Sequence, residues 1–103
     1  MYDYTGWIVR STAGRDKGGL FCVVGVDQER FCLLLADGKR RKLSQPKRKK
    51  LGHVEVENRG AFLNPDYQRL RMGEAISDRA LRRALAAFRA VSKEGMTLWQ
   101  RTI

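Results

Sequence analysis

A mainly β protein, in which a small five-stranded barrel is followed by one amphipathic C-terminal helix, is the fold class predicted by this 103-residue sequence. Three observations carry the prediction. Between residues 5 and 56, short runs of β-branched, aromatic and aliphatic residues are separated by Gly, Asp and Pro turn signals. From Ser77 onward the apolar residues change to a helical period. Finally, 43% hydrophobic residues supply enough apolar surface to offset the entropy of ordering, although the chain carries a net charge of +10.

The first predicted strand is Gly6-Trp7-Ile8-Val9-Arg10-Ser11. The following Thr12 to Gly19 holds three glycines and reads as a tight basic loop, in which Asp16 is expected to hydrogen-bond its own turn. Leu20–Val26 and Arg30–Ala36 form a hairpin around the polar Asp27-Gln28-Glu29. Asp37-Gly38 is a two-residue turn signal that predicts a return strand over Lys39–Leu43. Pro46 keeps its own position out of a central strand, and Leu51–Val56 alternates enough to form the fifth strand. Closure into a barrel removes the exposed edges of so short a sheet. The boundaries expected are residues 1–56 for the barrel, 57–76 for a connector and 77–103 for a helix and tail packed on the barrel. Asn58-Arg59-Gly60 and Asn64-Pro65-Asp66 read as turns, with one helical turn around Tyr67–Met72. In the helix, Ser77 is the N-cap and Asp78 complements the dipole. Leu81, Ala84, Leu85, Phe88 and Val91 share one face, and Arg79, Arg82, Arg83 and Arg89 the opposite one. Gly95 is read as the helix stop, and Met96, Leu98, Trp99 and Ile103 as anchors of the tail.

Charge points to a polyanionic partner. Residues 1–60 hold 13 basic and 7 acidic groups, and residues 61–103 hold 8 and 4, so both halves are basic. The densest cluster is residues 39–50, with eight cations and no acid: Lys39, Arg40, Arg41, Lys42, Lys47, Arg48, Lys49 and Lys50. On an ordinary protein such a run is a solvated face; at this density and net charge, phosphate contact becomes the better reading. Arg15 and Lys17 join the candidates, because the glycines around them allow backbone N–H groups to approach a phosphate while the two cations flank it. The arginines also suit stacking on unpaired bases, which favours looped RNA over duplex. Trp7 is read as a packing residue before a stacking one, and His53 as structural. The helix arginines Arg79, Arg82, Arg83 and Arg89 read equally as a second RNA surface or as a solvated face.

No enzyme is expected. The sequence has no GxxxxGK[ST] phosphate loop, no Ser-His-Asp order and no paired carboxylates in a plausible cleft. Cys22 and Cys32 lack CxxC spacing and, with His53, are too few for a structural zinc, so no metal or cofactor is expected and both cysteines are read as reduced packing residues. No signal peptide or membrane-spanning run is apparent, which predicts a cytoplasmic protein without a membrane partner.

Gly6-x-x-Val9, Gly14-Arg15-Asp16-Lys17-Gly18, the Val-rich strand ending in Asp27 and Leu35-Ala36-Asp37-Gly38 together resemble the KOW motif of several ribosomal proteins and transcription elongation factors. The continuation through Lys39–Lys42 and Lys47–Lys50 to His53-Val54-Glu55 is similar to the archaeal and eukaryotic large-subunit ribosomal proteins of the fourteen-e type. The resemblance spans residues 5–55. It implies an SH3-like barrel that binds RNA, with ribosomal RNA and neighbouring ribosomal proteins as partners. The transcription-factor members imply an alternative, a barrel that docks on protein.

Overall fold

The apolar segments become the central strands, and the charged ones the edges. The computed structural model describes the backbone of residues 1–102 and the side chains of residues 1–91. Its strands are β1 (Ile8–Ser11), β2 (Leu20–Asp27), β3 (Cys32–Ala36), β4 (Lys47–Lys50) and β5 (Val54–Asn58), with a single 3-10 turn at Leu51–His53 between the last two. They make one antiparallel sheet in the order β4-β3-β2-β1-β5, a four-strand meander whose fifth strand returns to the free edge of β1. Two helices follow, α1 (Pro65–Arg71) and α2 (Asp78–Thr102). No helix among the described residues is long and apolar enough to cross a membrane.

Alternation divides β1 to β3 between two cores. Val9, Phe21, Val23, Leu33 and Leu35 point to one face, where Met1, Tyr4, Trp7, Val26 and Val54 close over them. Ile8, Leu20, Cys22 and Ala36 point to the other, beneath Tyr67 and Leu70 of α1 and Leu81, Ala84, Leu85 and Phe88 of α2. Double coverage explains why β2 reads as a nearly continuous apolar run. It also buries Cys22 fully, and burial pushes its thiol up to about 12. Cys32 is only partly buried. In the native protein at pH 8 a maleimide reagent is therefore expected to modify Cys32 alone, and both thiols after denaturation; rapid labelling of both in the native state would contradict this core.

Four details of the sequence-based layout are corrected. The return strand expected at Lys39–Leu43 is absent. The Asp37 carboxylate accepts the N–H groups of Lys39 and Arg41, and the Arg41 carbonyl accepts those of Asp37 and Gly38. These local bonds fold residues 37–41 into a turn that competes with a ladder. Pairing with β3 begins instead after Pro46, at Lys47, and β4 is an edge strand of four cations. The expected fifth strand starts later, since Leu51–His53 is the 3-10 turn, and runs on to Asn58.

In the expected connector, α1 is longer than one turn and contributes to the core. Asn64-Pro65-Asp66 is its start: the Asn64 side chain accepts the N–H groups of Asp66 and Tyr67, Pro65 occupies the first turn, and Asp66 faces the positive end. Lastly, α2 runs through Gly95 to Thr102; a lone glycine costs a helix only about 1 kcal/mol. The side chains of Met96, Leu98 and Trp99, and Ile103 as a whole, lie outside the described residues. Ser77 caps α2 as expected, its hydroxyl accepting the N–H of Ala80 at 3.0 Å. Val91, on the predicted apolar face, is exposed.

Candidate nucleic-acid interface

The N-terminus of α2 sits against the loop after β3, and that docking arranges the basic residues. Asp78 Oδ1 accepts the Leu43 N–H at 2.8 Å, and the Arg82 guanidinium donates to the Gly38 carbonyl at 3.4 Å. Gly38 adopts φ +78, and a Cβ there would lie 2.1 Å from the Asp78 carbonyl oxygen. With helix and loop locked together, Arg89 of α2 reaches the same cleft as Arg40 of the loop and Arg15 and Lys17 of the glycine-bearing loop, with Asp16 and Asp37 also lining it. The cleft has a volume of about 190 Å³. All four cations have exposed side chains.

Asp16 fixes the glycine loop in this position. Its carboxylate is buried and pairs with the Arg41 guanidinium at 3.3 Å, while its backbone carbonyl closes the turn with the Gly19 N–H. The expected local hydrogen bond of Asp16 is thus made by its backbone, and its side chain reaches across the sequence. Arg41 is correspondingly a half-buried strut between the two basic loops.

The loop is held from below by Lys49. Its parity on β4 is that of Lys47, opposite the inward-pointing Leu33 and Leu35. Lys49 is only 7% exposed, and its ammonium donates to the Ala13 carbonyl at 2.9 Å. Of the predicted contact residues, Lys49 is therefore corrected to an internal brace. A second tie, from the Thr12 N–H to the His53 carbonyl, joins the same loop to the 3-10 turn and bridges the gap between β4 and β5, which form no ladder with each other. Lys49→Ala is expected to destabilise the fold by about 1–3 kcal/mol by removing a buried stem and a charge-assisted bond, whereas Lys50→Ala stays within about 0.5 kcal/mol. Urea titration of the two variants checks the difference.

The remaining predicted residues divide by position. Lys39 and Lys42 are exposed on the loop that carries Arg40. Lys47 is partly buried at the start of β4. Arg48 and Lys50 have the opposite parity to Lys49 and lie toward the β2–β3 hairpin: Lys50 is opposite Cys32, and Arg48 Nε is 3.3 Å from Asp27. Asp27 also binds Arg30 at 3.1 Å, and that hydrogen bond holds its carboxyl below the usual carboxylate range. A depressed carboxyl contributes at neutral pH and loses its contribution as the pH falls below the ordinary value of about 4, so this cluster loosens only in acid.

Of the helix arginines, read equally as a second RNA surface or a solvated face, Arg89 lies in the cleft. One feature escaped the sequence. Phe31, at the hairpin tip, is 67% exposed. Trp7 is half-buried against the Val9, Phe21 and Leu35 core, edge-on to Tyr4 at 4.7 Å and beneath the Arg59 guanidinium. His53 is exposed, and its backbone carbonyl makes the tie to Thr12. Neither protein-family models nor curated protein sequences give a match to this chain.

Proposed function

We propose that this chain is a KOW-type RNA-binding protein with an SH3-like barrel, associated with the ribosome and contacting structured RNA through phosphates. The observation that carries the reading is the convergence of Arg15, Lys17, Arg40 and Arg89, from three separate segments, on one small cleft. Four exposed cations against two carboxylates, one of them already paired with Arg41, leave the cleft net positive, and phosphates neutralise such a surface with release of condensed counterions. The glycine-bearing loop spends the N–H groups of Lys17, Gly18 and Gly19 on its own turn, so its contribution to the ligand is the exposed side chains of Arg15 and Lys17. The SH3-like assignment is supported by the strand order and by the single 3-10 turn between β4 and β5.

One observation favours the protein-docking alternative. Beside the edge strand β5, Phe62, Leu63, Phe88 and Val91 line an open apolar groove of about 490 Å³. Sedimentation of tagged protein from cell lysate through a sucrose gradient separates the two. Co-migration with large subunits or whole ribosomes that collapses on RNase treatment is the result expected; migration with RNA polymerase, or only in the lightest fractions, would instead favour docking.

A further inference from the structure

Phe31 is placed in a way that packing does not explain. It closes the β2–β3 hairpin at φ +52, in the left-handed region where glycine or asparagine is usual and a bulky aromatic is an outlier. Its ring is two-thirds exposed, so neither the backbone cost nor the solvation cost is offset by burial. Charged groups of both signs stand at this end of the hairpin, with the cations in excess by one. The Asp27 carboxylate gathers the guanidiniums of Arg30 and Arg48, and Lys50 stands opposite Cys32, the next residue in the chain. With Glu29 counted, this end of the hairpin remains net positive.

We infer that Phe31 is a stacking platform for an unpaired nucleobase, with Arg30, Arg48 and Lys50 holding the flanking phosphates. The inference rests on the RNA-binding reading and specifies its ligand as single-stranded or looped RNA. An exposed ring presents a π-face to any base, and nearby guanidiniums and ammonium groups neutralise the backbone on either side. The left-handed φ belongs to the turn; filling that position with Phe serves the ligand and not the hairpin.

This division makes the proposal testable without unfolding the protein. Phe31→Gly removes the ring and relieves the backbone, so its melting temperature is expected to equal or exceed that of the parent. Its affinity for a ten-nucleotide single-stranded RNA carrying 2-aminopurine is expected to fall about 10-fold. Quenching of 2-aminopurine fluorescence on binding should disappear with it and persist in Phe31→Trp. Unchanged affinity and quenching in Phe31→Gly, while Arg40→Glu weakens binding, would overturn the stacking role and leave the RNA reading intact. Failure of the parent protein to bind this RNA and a stem-loop RNA alike would overturn both. Phe31-dependent binding to anionic phospholipid vesicles, with no effect of Phe31 on RNA affinity, would reassign the tip to a membrane surface.

Discussion

Gly38→Ala is expected to destabilise the protein by about 3 kcal/mol or more, lowering its melting temperature by over about 10 °C. Two effects combine. The left-handed backbone at φ +78 costs an L-residue roughly 1–2 kcal/mol, and the added methyl would stand 2.1 Å from the Asp78 carbonyl. That oxygen belongs to the first turn of α2, so relief requires the helix to lift from the loop, breaking the Asp78–Leu43 hydrogen bond and loosening the core beneath Leu81. Gly18→Ala is the internal control. It has a similar φ, +86, but nothing within 4 Å of its Cβ position, so only the conformational cost of about 1–2 kcal/mol applies. Equal losses in the two variants would show that the helix and loop are not in contact as described.

Reversing two cleft charges, Lys17→Glu with Arg40→Glu, is expected to weaken RNA binding at least about 100-fold near 0.1 M salt. Both side chains are exposed and neither forms an ion pair among the described residues, so thermal stability should hardly change. Lys49→Ala should do the reverse, lowering stability first and affinity only through the loop it supports. Filter binding and thermal melts of the same preparations distinguish the two patterns. An unstable charge-reversal variant with normal affinity would contradict the assignment of these residues.

The sheet was legible where a local pattern decided it. Ile8-Val9, Leu20–Val24 and Leu33–Ala36 are apolar enough to need cover on both faces, and Ser77 followed by a helical apolar period allows little but a capped helix. The misplaced strand shows what local pattern omits: Asp37-Gly38 has hairpin chemistry, but the Asp37 side chain captured the amides of residues 39 and 41, and Leu43 was claimed by Asp78, far along the chain. Asn64-Pro65-Asp66 satisfies both turn and helix-start rules, and burial of Tyr67 and Leu70 decided between them.

The basic segment was equally legible as charge and illegible as geometry. Among Lys47 to Lys50, the residue that faces inward is set by register against Leu33 and Leu35, and a shift of one position would exchange Lys49 with Arg48 or Lys50. Arg89 joins the cleft only because α2 is docked at Gly38, a contact between residues about forty positions apart or more.

If cations from three segments form one RNA-binding surface, a backbone-amide NMR titration with a short stem-loop RNA must perturb all three together. Shifts are expected in Gly14–Gly19, in Lys39–Lys42 and around Arg89, weakening together as salt is raised. Shifts confined to Val56, Phe62, Leu63 and Val91, or none at stoichiometric RNA, would contradict it.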